Sequence, residues 1–144
     1  MKGRHHYATT VRWTGNTGEG TRDYGAYGRD FVVQGDGKAE IQGSSDPAFR
    51  GDPSRYNPEE LLLAALSSCH MLMYLHLCAM DGVLVKAYCD RAKGSMSEAG
   101  EGGGRFTRAV LRPWVHISDR TMEKKAMDLH KRAHALCYLA FREL

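Results

Sequence analysis

The sequence lacks several features that would place it in a specialised class of protein. Its 20 Lys and Arg residues are nearly balanced by 17 Asp and Glu residues, which leaves a net charge of +3. Because a dedicated nucleic-acid-binding domain carries a larger and clustered basic excess, we expect no nucleic-acid partner. There is also no internal repeat and no low-complexity linker. For 144 residues, this composition predicts a single domain over residues 1–144.

The first ten residues, MKGRHHYATT, contain no apolar run of the kind that a secretory leader needs. We therefore expect a cytoplasmic protein, whose thiols stay reduced. In that compartment a cysteine is more often catalytic, metal-bound or buried than joined in a disulfide. The four cysteines of the chain are Cys69, Cys78, Cys89 and Cys137.

Hydropathy patterns predict an α+β fold in which two helices lie against antiparallel sheet. Alternation of apolar and polar residues over 7–13 predicts a half-buried strand, and the loop that follows is rich in glycine and charge. Two short apolar runs flank Gly-Asp-Gly, which is a strong hairpin signal. A second, glycine-rich hairpin is predicted around GEGGG. The strands of the first hairpin are predicted at residues 30–34 and 38–42, and those of the second at residues 83–93 and 105–117.

The most distinctive segment is a long apolar helix, predicted from Pro58 to about Met80. Asn57 is a good N-cap, proline is favoured at the first helical position, and Glu60 completes a capping-box pattern. Asp81-Gly82 ends the helix. A second helix is predicted from Asp119 to about Cys137, capped by Ser118 or Asp119, with an apolar stripe of helical spacing.

Sixteen of the 20 residues from Leu61 to Met80 are apolar, which is unusual for a chain of low overall hydropathy. Serine and histidine interrupt the segment, and its flanks lack the basic bias and aromatic belt of a membrane anchor, so we expect no membrane partner. A helix that is apolar on nearly all sides must be buried on nearly all sides. One sheet and one other helix can hardly cover it, so we predict an obligate homodimer in which a second copy covers the remaining face of this helix.

The simplest explanation for the cysteines is that they are buried in the core. Two arrangements of chemically active residues are alternatives to that explanation. In the first, His130, His134 and Cys137 fall on one ridge of the second helix, and nitrogen and sulfur ligands suit zinc. In the second, a reactive thiol has its pKa lowered by a cation and is paired with a resolving cysteine. Arginine is the natural cation, because a carboxylate such as Glu59 holds it bidentately. Glu59 and Cys69 are ten residues apart, about 15 Å along one helix, so a shared site would be built across a dimer or be bridged by an arginine loop.

The run NPEELLLAALSSCHMLMYLHLC resembles the signature helix of the OsmC/Ohr family of thiol-dependent peroxidases, which reduce organic hydroperoxides. The similarity lies in the Asn-Pro-Glu start, a cysteine ten residues after that glutamate, and a second cysteine near the end of a later helix. It extends over nearly the whole chain and implies an OsmC-like fold, with a long buried central helix and a second helix in an intertwined homodimer. After Cys137 only YLAFREL remains, where the family usually has a closing strand, so we expect that sheet edge to be missing or supplied otherwise.

Carried over by position, the resemblance implies that Cys69 is the peroxidatic cysteine and Cys137 the resolving one. It further implies that Glu59 orients the active-site arginine. Arg29, in Tyr-Gly-Arg-Asp, is the preferred arginine and Arg50, in Ala-Phe-Arg-Gly, is the alternative, with Arg22 a distant third.

The expected function is therefore reduction of organic hydroperoxides to alcohols through a Cys69 sulfenic acid and a Cys69–Cys137 disulfide, in defence against oxidative stress. No metal, flavin or haem is expected, and the resemblance implies a lipoyl-type dithiol as reductant. Residues 71–74 are expected to form apolar walls for the substrate. The alternatives are a zinc-binding domain or a non-catalytic, small-molecule-binding domain of the same fold.

Overall fold

The computed structural model describes residues 3–137 of the chain. The segment after Cys137, for which the sequence analysis questioned the closing strand, lies outside the described residues. The chain divides into two compact units, which meet in the sequence between Glu60 and Leu61. The fold is α+β with antiparallel strand pairs and two helices, as predicted.

The first unit is built on a three-stranded antiparallel sheet in the order β1-β2-β3. These strands are β1 (Thr10–Trp13), β2 (Phe31–Gln34) and β3 (Ile41–Gly43). The turn between β2 and β3 places Gly37 at φ 70°, which is the left-handed conformation that the predicted Gly-Asp-Gly hairpin requires. The prediction of a half-buried strand at residues 7–13 is wrong for the single chain, because β1 is shorter and all of its residues are exposed.

The long β1–β2 connection is held by hydrogen bonds across its base. The Trp13 indole Nε1 donates to the Gly28 carbonyl at 2.8 Å, and the Gly28 N–H donates to the Gly15 carbonyl at 2.7 Å. A side chain on Gly15 would collide with the Gly28 carbonyl, so the two backbones approach this closely only because residue 15 is glycine. The connection is therefore an ordered wide hairpin.

The predicted apolar helix is confirmed as α1 (Pro58–Met80). Its capping box is formed in both directions: the Glu60 N–H donates to the Asn57 side-chain oxygen at 2.8 Å, and the Asn57 N–H donates to the Glu60 carboxylate at 3.0 Å. At its other end Gly82 takes φ 76°, and the Val83 N–H donates to the Cys78 carbonyl at 2.9 Å. These local signals explain why both ends of α1 were predictable.

Replacing Asn57 with alanine is expected to destabilise the protein by about 1 kcal/mol, because the Glu60 N–H loses its acceptor and the reciprocal bond loses its geometry. Urea unfolding followed by circular dichroism measures the change. Asn57→Ser is the matched control, since serine is an equally good N-cap, and it should stay close to wild type. Equal stability of the alanine and serine variants would contradict the role of the cap.

Four strands follow α1 where the sequence predicted two. They are β4 (Val85–Asp90), β5 (Lys93–Glu98), β6 (Gly104–Val110) and β7 (Pro113–Ile117), with β4 paired to β7 and β5 paired to β6. The predicted glycine-rich hairpin is the β5–β6 turn. Each of the two predicted strands, 83–93 and 105–117, is therefore divided into two. At the division the Asp90 carboxylate accepts the Arg112 N–H at 2.6 Å, and Pro113 has no N–H to donate to a strand ladder.

The second helix, α2 (Glu123–Leu136), is preceded by a 3₁₀ turn at Arg120–Met122. The predicted cap Asp119 accepts the Thr121 N–H at 2.9 Å and so begins this turn. The core of the second unit packs one face of α1 against α2 and the β4–β7 pair. Its buried members are Tyr74, Leu77, Cys78, Val83, Ala126, Leu129 and Ala133.

Within the single chain, α1 is buried along one face only. Its buried residues are His70, Tyr74, Leu77 and Cys78, whereas Leu72 is 62% and Met80 72% exposed. By length and composition alone, α1 is also apolar enough to cross a bilayer. Two of its polar residues bond to other elements of the second unit: Ser67 Oγ donates to the Asp90 carboxylate at 2.5 Å, and His70 contacts His130.

Candidate functional site

Cys69 lies in the middle of α1 and is half-buried. Residues on either side of it turn toward the rest of the second unit, through the bonds of Ser67 to Asp90 and of His70 to His130. Consecutive residues of a helix are about 100° apart around its axis, so Cys69 stands beside the face that carries His70. The helix therefore fixes a partly accessible thiol next to a buried, hydrogen-bonded histidine.

His70 and His130 form a hydrogen-bonded pair that joins the two helices. His70 Nε2 lies 3.0 Å from His130 Nδ1, and the two rings are within 5° of parallel. The His130 ring also stacks on Tyr74, with the centroids 3.8 Å apart. The Tyr74 hydroxyl in turn donates to the Ala126 carbonyl at 2.9 Å, so the ring on which His130 rests is itself fixed.

Burial favours the neutral form of both imidazoles of this pair. It lowers the pKa of His70, and the neighbouring His134 lowers it further, while the Asp90 carboxylate acts in the opposite direction. Burial, together with the nearby His70, also lowers the pKa of His130. In a neutral pair, one ring donates the shared proton and the other accepts it.

We expect thermal stability to fall as the pH drops from 7 to 5. The ordinary pKa of histidine is about 6.5. Because the folded pKa values of His70 and His130 lie below that value, the unfolded chain binds more protons in this range, and acid favours unfolding. Melting curves at several pH values measure the effect, and a His70→Gln/His130→Asn double variant should show a shallower pH dependence. A melting temperature that is constant or rises toward pH 5 would contradict this assignment.

A cavity of about 530 Å³ opens beside the histidine pair. Both histidines line it, and Cys137 lines it at the point where α2 ends. The other lining residues are mostly apolar: Leu62, Leu66, Phe106, Thr107, Arg108, Ala109, Leu111, Pro113 and His134. Cys69 does not line the cavity directly, but its neighbour His70 does. The cavity therefore combines apolar walls, imidazoles and one thiol.

Residues 71–74, which the sequence analysis expects to form apolar walls for a substrate, lie away from this cavity. None of these residues lines the cavity. Tyr74 belongs to the core, where burial raises the pKa of its hydroxyl, and Leu72 is exposed. Two leucines one turn apart, Leu62 and Leu66, provide the apolar wall on α1 instead.

The structure does not arrange His130, His134 and Cys137 as the zinc site that the sequence analysis considered. His130 Nδ1 faces His70 on the other helix. In the part of the chain from residue 3 to residue 137, no group of three or more His, Cys, Asp or Glu side chains is placed to hold a metal ion. Cys78 is buried in the core, which raises the pKa of its thiol, and Cys89 is exposed on β4.

The arginine and glutamate candidates belong to the first unit. The Arg29 guanidinium donates to the carbonyls of Tyr27 and Tyr24, at 2.5 and 2.8 Å, and lies 3.7 Å from the centroid of the Tyr27 ring. Arg50 is exposed, takes φ 66°, and lies 5.9 Å from the Tyr24 ring. Within residues 3–137, Glu59 in the first turn of α1 forms no ion pair, whereas Arg22 pairs with Glu19. Arg29 is thus the arginine held most firmly by its own loop.

The family model described as OsmC-like protein matches residues 51–141, which include α1, both strand pairs and α2. The chain belongs to the OsmC-like family. A search of curated proteins finds no match. The family resemblance noted in the sequence is therefore confirmed, and so is the fold that it implies.

Solved structures of other OsmC-like proteins extend the comparison. An OsmC-like protein of unknown function from Vibrio cholerae is 31% identical, with a TM-score of 0.83 over 95% of this chain and 92% of that one. An organic hydroperoxide resistance protein OsmC from Legionella pneumophila is 20% identical, with a TM-score of 0.67 over 95% and 89% of the two chains. The organic hydroperoxide resistance protein OhrB of Bacillus subtilis is 18% identical, with a TM-score of 0.58 over 93% and 88%.

Sequence reasoning missed the histidine pair in this OsmC-like chain. The sequence analysis considers His70 only as one of the histidines that interrupt the apolar segment, and His130 only as a candidate zinc ligand. A signal was present, since a histidine inside an otherwise apolar helix must find a polar partner. The sequence does not say which partner, because residues 70 and 130 meet only through the packing of α1 on α2.

Proposed function

We propose that this OsmC-like protein is a thiol-dependent peroxidase that reduces organic hydroperoxides to alcohols. The observation that carries the proposal is the cavity, in which Cys137 at the end of α2 faces the same space as His70, the residue directly after Cys69. The names of the Legionella and Bacillus relatives, which are organic hydroperoxide resistance proteins, support the substrate class.

In the proposed reaction the Cys69 thiolate attacks the outer oxygen of the hydroperoxide. A sulfur–oxygen bond forms, the oxygen–oxygen bond breaks, and the inner oxygen takes a proton and leaves as the alcohol. Cys69 is thereby oxidised to a sulfenic acid. Cys137 then condenses with it, which forms the Cys69–Cys137 disulfide and releases water. An external dithiol, of lipoyl type by family resemblance, reduces the disulfide by exchange.

The thiolate needs a cation, and we assign that role to Arg29 oriented by Glu59, with Arg50 as the alternative. An arginine is suited to this role because it stays charged when partly buried and binds carboxylate bidentately. The Tyr24 and Tyr27 carbonyls and rings hold the Arg29 guanidinium in one orientation, which reduces the entropy lost when it engages a thiolate. No metal, flavin or haem takes part in this chemistry.

The proposed active unit is a homodimer. The exposed apolar residues of α1, such as Leu72 and Met80, support a second copy as the cover for this helix. A dimer also offers a way for groups 15 Å apart along one helix, such as Glu59 and Cys69, to belong to one site, since about 1.5 Å separates successive residues. We propose a cytoplasmic location, because the cycle needs a pool of reducing dithiol.

Catalytic consumption of cumene hydroperoxide by the reduced protein, in the presence of a lipoyl-type dithiol, tests the function. The apolar walls at Leu62, Leu66 and Phe106 favour an organic peroxide, so kcat/KM should be higher for cumene hydroperoxide than for hydrogen peroxide. Consumption no faster than with dithiol alone would contradict the proposal. It would leave a non-catalytic binding domain, which the cavity also suits, and stoichiometric zinc in the purified protein would favour the metal-binding alternative.

A further inference from the structure

The hydrogen-bonded His70–His130 pair is not used by the reaction outlined above, yet it lines the cavity that Cys137 lines. A buried imidazole, His70, and a half-buried one, His130, are costly to maintain between two helices unless their polar atoms are satisfied. Here one ring nitrogen of each is used in the shared bond between Nε2 of His70 and Nδ1 of His130. The outer nitrogens, Nδ1 of His70 and Nε2 of His130, remain for other partners.

A pair of this kind can pass a proton from one end to the other. Two neutral imidazoles carry two N–H groups, and one of them makes the shared hydrogen bond. One outer nitrogen therefore carries a proton, and the other has a lone pair. When the lone pair accepts a proton, the shared proton shifts across the 3.0 Å bond and the opposite end releases one. Both rings finish neutral, in exchanged tautomers.

We propose that the His70–His130 pair is a proton relay for the condensation of Cys137 with the Cys69 sulfenic acid. This inference rests on the proposed peroxidase function. In the condensation, the Cys137 S–H bond breaks, a sulfur–sulfur bond forms, and the Cys69 S–O bond breaks. The pair accepts the Cys137 proton at one end and returns a proton to the departing hydroxide, which leaves as water. No further oxidant or reductant is needed.

The packing around the pair suits a relay that works near neutral pH. Tyr74 is fixed by its bond to the Ala126 carbonyl, and its ring stacks on the His130 ring and so restricts the orientation of that imidazole. Burial lowers the pKa of both histidines and so favours the neutral form, which has a lone pair to accept a proton. The titratable and charged groups around the pair are Asp90 on β4, Arg108 on β6, His116 on β7, Arg120 and Glu123 before and at the start of α2, and Tyr74, His134 and Cys137 on the helices.

Two conservative substitutions separate proton transfer from hydrogen bonding. In His70→Gln the amide reaches the position of Nε2, and in His130→Asn it reaches the position of Nδ1, so each retains the shared hydrogen bond but cannot relay a proton. His76→Gln is the matched control, since His76 is exposed on the same helix as His70 and does not line the cavity. Each full-length protein is reduced and mixed with one equivalent of cumene hydroperoxide in a rapid-quench experiment. Dimedone trapping reports sulfenic acid, and mass spectrometry reports the disulfide.

We expect both relay variants to form the sulfenic acid at the wild-type rate and to condense about 10²-fold more slowly at pH 7, as is typical for loss of a general acid–base group. The deficit should shrink at alkaline pH, which favours the thiolate without a proton acceptor. The His76→Gln control should match wild type at both steps. Unchanged condensation in the relay variants, or an equal slowing of both steps, would overturn the relay.

The wild-type protein supplies a test that does not depend on the folding of any variant. Its condensation rate should fall as the pH drops from 7 toward 5, since protonation of the pair removes the lone pair that accepts the thiol proton. A condensation rate that does not change between pH 5 and 7 overturns the proposal. Failure of the peroxidase function itself is distinguishable, because the wild-type protein would then form neither sulfenic acid nor disulfide in the first measurement.

Discussion

Replacing Cys69 with serine should lower the rate of cumene hydroperoxide reduction by at least about 10³-fold, to the background rate of the dithiol. Serine has nearly the same shape as cysteine, but its hydroxyl is not ionised near neutral pH and is a poor nucleophile toward peroxide oxygen. The half-buried position of Cys69 in the middle of α1 tolerates this exchange, so fold and stability should be retained. Peroxide consumption at a fixed dithiol concentration measures the effect.

Cys89→Ser is the matched control for this experiment. Cys89 is exposed on β4 and has no role in the proposed reaction, so the variant should retain wild-type activity. Cys78 is a poorer control, because it is buried in the core and its replacement by serine would also disturb packing. The peroxidase account fails if Cys69→Ser consumes peroxide as fast as wild type.

Replacing Arg29 with glutamine should lower kcat/KM for the hydroperoxide by about 10²-fold or more, which is the usual effect of removing one charge-stabilising donor from an active site. The physical reason is loss of the guanidinium to which we assign stabilisation of the Cys69 thiolate. Part of the activity should return as the pH is raised, because a higher pH favours the thiolate even without a neighbouring cation. A pH profile of kcat/KM therefore distinguishes this role from a structural one.

Arg50→Gln and Arg22→Gln are the controls for the arginine assignment. Arg50 is exposed and Arg22 pairs with Glu19, so both should retain most of the activity. Arg29→Lys is a further comparison, since lysine keeps the charge but loses the planar, bidentate geometry. A large loss for Arg50→Gln together with an unchanged Arg29→Gln would reassign the site to Arg50.

Local signals in the sequence were sufficient for the parts of the fold that local chemistry decides. The capping box of Asn57 and Glu60 and the terminal Gly82 set both ends of α1. The break in the two long strands was not predictable, because it depends on the Asp90 carboxylate meeting the Arg112 N–H 22 residues away. The exposure of β1 was missed for a related reason, since alternation shows which side chains share a face but not what covers that face.

The candidate site shows the same division between local and distant contacts. The resemblance of the α1 segment to the OsmC/Ohr signature pointed to Cys69 and Glu59, and the family itself is confirmed. The contact between His70 and His130 spans 60 residues and depends on the packing of α1 on α2, which neither helix encodes alone. The walls of the cavity likewise come from distant strands, such as β6 with Phe106.

The disulfide map of the wild-type protein after one equivalent of cumene hydroperoxide tests the central claim most directly. The reduced protein is oxidised, blocked with an alkylating reagent, digested and analysed by mass spectrometry. The account predicts a peptide pair joined through Cys69 and Cys137, with Cys78 and Cys89 recovered as alkylated thiols. A disulfide that includes Cys78 or Cys89, or four alkylated thiols with the peroxide unconsumed, would contradict it.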